Sequence, residues 1–329
     1  MGLGRYVVSR ILQTIPVLFG VVALVFVFVN ATPGDPIRIM LGPEADPETI
    51  ERVRAQYGLD EPLHIRFFTY VFNILQGDLG ISIHYGGPVT EKIAEVLPYT
   101  ILLTVSGFAF AIAVSIPLGV LSARRRNERV DHVVRVISLL GVSTPSFWIA
   151  LILVIIFGYH LNVLPATGLV LPWAEPGSVS GASNRFDVLL MTGRHLILPT
   201  IALGTLQMAA ITRIQRSSML EALGEDYVVL ARAYGVKEST IVWIYAFRNS
   251  QLPVITIIGL NMATALGGSV LIEIVFNING LGQLIYGAIL NNDMPLVVGS
   301  TFVFALLFVL SVVIVDIMYA YIDPRVTYD

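Results

Sequence analysis

Six stretches of this chain are apolar over lengths that a water-soluble domain does not tolerate. They run from Ile11 to Val29, Thr100 to Leu121, Val133 to Tyr159, Leu196 to Ile211, Leu252 to Val275 and Leu296 to Tyr321. A hydrocarbon layer about 30 Å thick takes roughly 20 apolar residues as helix, and lipid forces each segment to satisfy its own backbone polar groups. The expected fold class is therefore an all-α integral membrane protein with about six transmembrane helices. Composition points the same way. Only 13% of the residues are charged, against about 25% in soluble domains, which leaves too little polar surface to cover a globule in water.

Arg5 and Arg10 precede the first stretch as they would in a signal peptide. The apolar run nevertheless exceeds the 7–15 residues of a signal core, and Asn30-Ala31-Thr32-Pro33-Gly34-Asp35-Pro36 is a poor cleavage site, so the segment is read as a retained span. Lys and Arg set the orientation. With the N-terminus inside, the cytoplasmic segments hold thirteen of the twenty Lys and Arg residues, anchored by the cluster Arg124, Arg125 and Arg126 beside the second span. Both termini are then cytoplasmic. Four regions follow: 1–30, the N-terminus and first span; 31–97, an extracytoplasmic segment with short helices; 98–322, a five-helix core containing a cytoplasmic loop at 213–250; and 323–329, a cytoplasmic tail.

In the outer segment, Asp46 and Pro47 occupy the N-cap and first position of a short helix. Ile65 to Leu75 is apolar but short, and reads as an interfacial or packed helix. Asn162 to Gly193 is rich in Pro, Gly and Ser and reads as loop. In the loop at 213–250, Met219 to Tyr234 has helical character and Gly235 is placed to end that helix in the left-handed conformation. A second helical stretch begins near Ile241 and runs to Asn249. The small residues Ala231 and Ala233 let such an elbow approach another protein closely; the same pattern also suits an amphipathic hairpin on the membrane surface.

The polar residues within the spans are few. Glu273 sits near the outer end of the fifth span and should face protein or water, because a charge at mid-bilayer costs about 2.5–3.5 kcal/mol. Asn261 and Ser269 on the same span are further candidates for a translocation path. Asp316 in the sixth lies nearer the cytoplasmic end, where it can cap or pair. Gly259, Gly267 and Gly268 suit close helix packing, and Ser143-Thr144-Pro145-Ser146 predicts a kink in the third span. His64, His84, His132, His160 and His195 are scattered without metal-ligand spacing, and the chain has no cysteine. No bound metal, disulfide or catalytic triad is expected. The net charge of -3 suggests no nucleic-acid partner.

Several motifs in order then resemble a known family. They are Pro33-Gly34-Asp35-Pro36, Gly77-Asp78-Leu79-Gly80-Ile81-Ser82, Ile116-Pro117-Leu118-Gly119-Val120, Ser217 through Tyr227, Ala231-Arg232-Ala233-Tyr234-Gly235, Phe247-Arg248-Asn249, Asn279-Gly280-Leu281-Gly282 and Asp323-Pro324-Arg325. Together they are similar to the permeases of bacterial ABC importers of the dipeptide/oligopeptide type, specifically the first of the two permeases in such systems. The Ala-Arg-Ala opening departs from the Glu-Ala-Ala of sugar importers.

The resemblance implies the type I importer permease fold in the bacterial inner membrane. It also implies a role as half of a translocation pore for peptides, with a second homologous permease, two cytoplasmic ATPases that carry ATP and Mg, and an extracytoplasmic binding protein as partners. It places the ATPase-docking loop at Glu221, Asp226, Tyr227, Ala231, Arg232, Ala233, Gly235 and Arg248. Nickel complexes, glutathione and oligosaccharides are alternative cargoes of the same branch. The chain has no Gly-x-x-x-x-Gly-Lys-[Ser/Thr] loop around either of its lysines, Lys92 and Lys237, so it carries no phosphate-binding loop of its own. An ion-coupled secondary transporter is the competing class. It would need intramembrane ionisable pairs, for which Glu273 and Asp316 are the only candidates, near opposite ends of the spans.

Overall fold

The computed structural model describes residues 3–31, 37, 41–42, 45–56 and 58–322. The motifs at Pro33–Pro36 and Asp323–Arg325 lie outside them, as does the side chain of Asp316. Twelve α-helices carry the described chain: α1 Leu3–Ala31, α2 Pro47–Gln56, α3 Leu63–Leu75, α4 Val89–Arg124, α5 Arg129–Ser143, α6 Ser146–Leu153, α7 Arg185–Leu223, α8 Asp226–Ala233, α9 Glu238–Thr240, α10 Phe247–Val275, α11 Leu281–Leu290 and α12 Met294–Ile322. Among the described residues there is no strand, only an isolated bridge between Ile81 and Pro88. Among those residues, five stretches are by length and composition apolar enough to cross a bilayer, Leu12–Ala31, Val89–Arg124, Arg185–Leu223, Glu238–Met262 and Met294–Val315, and a bent helix pair makes a sixth if it counts as one span.

The third span differs from expectation. Instead of a kink, the helix breaks at Thr144-Pro145, and Arg129–Ser143 meets Ser146–His160 at 106°. Thr144 takes an extended backbone with ψ 126°, as a residue before proline is pushed to do. Pro145, extended in its turn, leads into α6. The α6 helix then passes into a π-helical turn at Val154–His160.

Two other boundaries also move. The segment expected to be loop up to Gly193 becomes helix at Arg185, because Asn184 and Asp187 form a capping box: the Asp187 N–H donates to Asn184 Oδ1 at 3.0 Å, and the Asn184 N–H to Asp187 Oδ2 at 3.2 Å. The helix expected from Met219 to Tyr234 is two helices, since α7 ends at Leu223 with Gly224 as its C-cap and α8 starts after Glu225. The helix α11 was not anticipated.

The chain forms two compact units, one of Ile101–Ile278 and Ser311–Asp329, the other of Gly2–Thr100 and Asn279–Leu310. In the second, the buried core is built by Leu79, Val89, Ile93, Leu281, Ala288, Leu296 and Val297. Two of the sequence motifs acquire a structural reason there. Gly80 adopts φ +86° while its N–H donates to Asp78 Oδ1 at 2.8 Å, and the turn delivers the Ser82 hydroxyl to buried Asp293 at 2.5 Å. Asp293 also accepts the N–H of His84 at 3.0 Å and that of Leu296 in the first turn of α12 at 3.2 Å. Gly280 is the N-cap of α11, whose first N–H, that of Leu281, donates to Thr100 Oγ1 at 2.7 Å.

In the first unit, small residues let backbones touch. A Cβ at Gly204 would lie 2.5 Å from the Gly107 carbonyl oxygen, and one at Gly141 would lie 2.8 Å from Ala209 Cβ. Lipid offers no hydrophobic drive between helices, so close packing at such residues is what holds the α4, α5 and α7 contacts together. Of the three glycines singled out in the fifth span, Gly259 lies against a methyl of Val315, and Gly268 would place a Cβ 3.4 Å from Leu203. Gly267 faces open space, so packing does not explain it.

Candidate functional site

The hairpin at 224–240 is built as its residues dictate. Asp226 lies in the first turn of α8, where a carboxylate complements the helix dipole. At the other end, the Gly235 N–H donates to the Arg232 carbonyl at 3.0 Å and the Val236 N–H to the Ala231 carbonyl at 3.1 Å. This is a Schellman closure, and it requires the left-handed backbone that Gly235 supplies at φ +74°. Across the turn, Arg232 grips Glu238 with Nη2 to Oε1 at 2.9 Å and Nε to Oε2 at 3.3 Å. These hydrogen bonds raise the Arg232 guanidinium above its ordinary pKa, so the pair stays ionised. Both side chains are about half exposed, so the pair fixes the shape of the turn more than it stabilises the fold.

One side of the hairpin is anchored and the other is bare. Val228 is fully buried. Beneath the hairpin, Met219 and Ala222 of α7, Val120 and Ala123 of α4, and Val242 and Ala246 of a π-helical turn at Ile241–Ala246 form one buried cluster. Facing out are Val229, Leu230 and Tyr234, with Tyr234 80% exposed. Ala233, Glu221, Asp226 and Arg248 are also exposed, while Tyr227 and Ala231 are half-buried. The Tyr227 hydroxyl is buried with no hydrogen-bond partner among the described residues. Seven of the eight predicted docking residues thus fall on or directly beside the hairpin, and Arg248 is the second residue of α10.

The sequence reading missed the footing of this hairpin. Asp131 is fully buried and accepts four hydrogen bonds: Arg216 Nε at 2.6 Å, Arg216 Nη2 at 2.7 Å, the Ser122 hydroxyl at 2.6 Å and the Asn127 N–H at 2.9 Å. The α4–α5 turn and α5 are thereby tied to α7 two turns before the hairpin. A second polar group joins α7 to α10. Ser250 Oγ donates to the Phe247 carbonyl at 2.9 Å, Gln215 Nε2 reaches Ser250 Oγ at 3.4 Å, and Gln251 Nε2 reaches Gln215 Oε1 at 3.3 Å.

Ser269 and Glu273, four residues apart on α10, share a face, and Asn261 lies about 120° around the helix from Glu273. Ser269 and Glu273 are fully buried. Ser269 donates to the Leu266 carbonyl at 2.7 Å, Glu273 is engaged rather than free, and Asn261 Nδ2 has no hydrogen-bond partner among the described residues. Among those residues, no three His, Cys, Asp or Glu side chains come together in a way that could hold a metal.

Comparison with known proteins places this geometry in context. Residues 115–328 match the family described as binding-protein-dependent transport system inner membrane component. Residues 3–104 match its N-terminal counterpart among membrane components of the same systems. The chain is 37% identical to the oligopeptide transport system permease protein AppB of Bacillus subtilis, over 99% of this chain and 100% of that one. It is 38% identical to the dipeptide transport system permease protein DppB of Alkalihalophilus pseudofirmus, with 98% and 99% covered. It is also 38% identical to the glutathione transport system permease protein GsiC of Escherichia coli, again over 98% and 99%. Among solved structures, inward-facing MetNI, a methionine ABC transporter, shares the fold with a TM-score of 0.52 at 16% identity, covering 70% of this chain and 96% of that one.

Proposed function

The chain belongs to the family of binding-protein-dependent transport system inner membrane components, and from that membership we propose that it forms half of an ATP-driven peptide pore whose 224–240 hairpin receives a cytoplasmic ATPase. It is a multi-pass component of the bacterial inner membrane and has the ABC importer permease fold. Peptide cargo is supported by relatives of near-complete coverage that carry oligopeptides, dipeptides and glutathione, the last itself a tripeptide.

One observation carries the docking reading: the rigidly closed turn at Gly235 presents Val229, Leu230 and Tyr234 outward while its base is buried against α4, α7 and the π turn. An exposed apolar patch on a stiff support suits a protein partner. The excess of Lys and Arg on the segments flanking the hairpin supports its placement on the cytoplasmic face. In the same reading, a second homologous permease completes the pore, an extracytoplasmic binding protein delivers the peptide, and ATP with Mg is held by the ATPases. Asn261, Ser269 and Glu273 are assigned to the translocation path, on the ground that Glu273 is the one charged residue of α10 beyond Arg248.

The test is reconstitution of the complete importer in proteoliposomes with Gly235→Ala. A Cβ there meets nothing within 4 Å, so the change acts through the left-handed backbone alone, at about 1–2 kcal/mol. Normal membrane insertion, with loss of ATPase co-purification and of ATP-driven peptide uptake, is expected. Unchanged coupled uptake in Gly235→Ala combined with Arg232→Ala refutes the docking role. Because the chain has no cysteine, Val229→Cys gives a background-free label. Modification by an impermeant maleimide from the outer face of intact cells overturns the orientation.

A further inference from the structure

The second compact unit holds a cavity of about 270 Å³ that peptide transport, as read above, does not use. Its walls include Phe26 and Asn30 of α1, Arg66 and Tyr70 of α3, and Pro295 and Val298 of α12. The apolar stretch of α1 ends at Ala31 and that of α12 begins at Met294, so the cavity lies level with one end of both spans. That is the depth at which lipid headgroups begin.

The helix α3 is fitted to that depth. Its Phe67 ring packs edge-on against Phe19 and Phe26 of α1, with centroids at 5.5 and 5.4 Å. Phe68 and Phe72 remain 63% exposed, and Leu75 81%. An amphipathic helix with bare aromatic and aliphatic side chains at this level lies along the acyl boundary.

Among the polar groups of the cavity, Asn30 donates to the Phe26 carbonyl at 2.7 Å, whereas the cation has no anion. Arg66 is half-buried, with its guanidinium 6.0 Å from the centre of the Phe26 ring. Burial lowers its pKa, and no ion pair joins it to any carboxylate among the described residues. The Tyr70 hydroxyl, which also has no hydrogen-bond partner among them, is sealed behind the cavity wall beside Gly299. Glu61, exposed, lies on the same rim. A cation partly removed from water calls for an anion, and a guanidinium matches phosphate oxygens well. The cavity has room for a headgroup with its chains outside.

We propose that this cavity is a phospholipid site in which Arg66 holds the phosphate, Glu61 faces the amine of an ethanolamine head, and an acyl chain lies along Phe68 and Phe72. The site rests on the membrane embedding of the chain and not on the docking or cargo readings.

The full-length chain, purified in mild detergent from bacterial membranes, is extracted and its retained phospholipid quantified by mass spectrometry. The wild type is expected to retain phosphatidylethanolamine in preference to phosphatidylglycerol. Arg66→Gln should lower retention by about tenfold or more, as loss of a charge-assisted hydrogen bond predicts. It should do so without changing the melting temperature in lipid-free detergent, separating a lost site from a lost fold. Tyr70→Phe, which removes only a hydroxyl sealed from the cavity, should retain the lipid as the wild type does. Glu61→Gln should keep the phospholipid but lose the preference for the amine head. Equal retention by the wild type and Arg66→Gln overturns the proposal. Protection of the protein by soluble phosphoethanolamine as strong as that by the lipid also overturns it, because the site would then be one for a free phosphate ester.

Discussion

Replacing Asp131 by Asn tests whether the hairpin footing is held by charge. The substitution keeps the volume and an oxygen for Ser122, but strips the carboxylate from a fully buried position facing a guanidinium only 20% exposed. Removing one partner of a buried pair costs about 3–5 kcal/mol. Water reaches Arg216 on one side, so about 3 kcal/mol is expected. Arg216→Met alone leaves Asp131 with the Ser122 and Asn127 bonds, half of its original four, and should cost about 2–3 kcal/mol. In the double variant no buried charge is stranded, so the two losses should not add, and a coupling of about 2 kcal/mol is expected. The measurement is equilibrium unfolding of the purified chain in mixed micelles, followed by circular dichroism, on all four proteins of the cycle. A cost below about 1 kcal/mol for Asp131→Asn, or strictly additive losses, refutes the assignment.

Gly204→Ala should force α4 and α7 apart, because its Cβ would meet the Gly107 carbonyl oxygen at 2.5 Å; a loss of about 1–3 kcal/mol is expected in the same unfolding assay. Gly267→Ala, with nothing within 4 Å, is the matched control and should be neutral or slightly stabilising. Asn184→Ala should cost about 1 kcal/mol by opening the capping box, seen as faster amide hydrogen exchange in the first turn of α7 and unchanged exchange at its middle.

Much of this structure is legible in the sequence. The spans followed from apolar length alone, and Gly235 announced its turn because only glycine takes that backbone without cost. The start of α7 carries a local signal in Asn184-x-x-Asp187, lying inside a stretch whose Pro, Gly and Ser read as loop. Gly224 lies inside the stretch from Met219 to Tyr234 that reads as one helix, and it is the C-cap of α7. The break at Thr144-Pro145 was foreseen in place but not in size, since a proline fixes where a helix yields and the surrounding packing fixes by how much. The Asp131–Arg216 clamp and the cavity beside Arg66 had no sequence signature at all. Their partners lie far apart along the chain, and no local pattern reports which distant side chain a buried charge will meet.

From Glu238 through the π turn to Val275 the backbone is helical without interruption, which makes a rod about 55 Å long at 1.5 Å per residue. Gly259 bears on Val315 along its length, and a contact without a side chain on one partner lets one surface roll over the other. The arms on either side of that fulcrum are about 31 Å toward Glu238 and about 21 Å toward Glu273. A sideways push of about 3 Å at the hairpin end would then swing the Glu273 end by about 2 Å in the opposite sense.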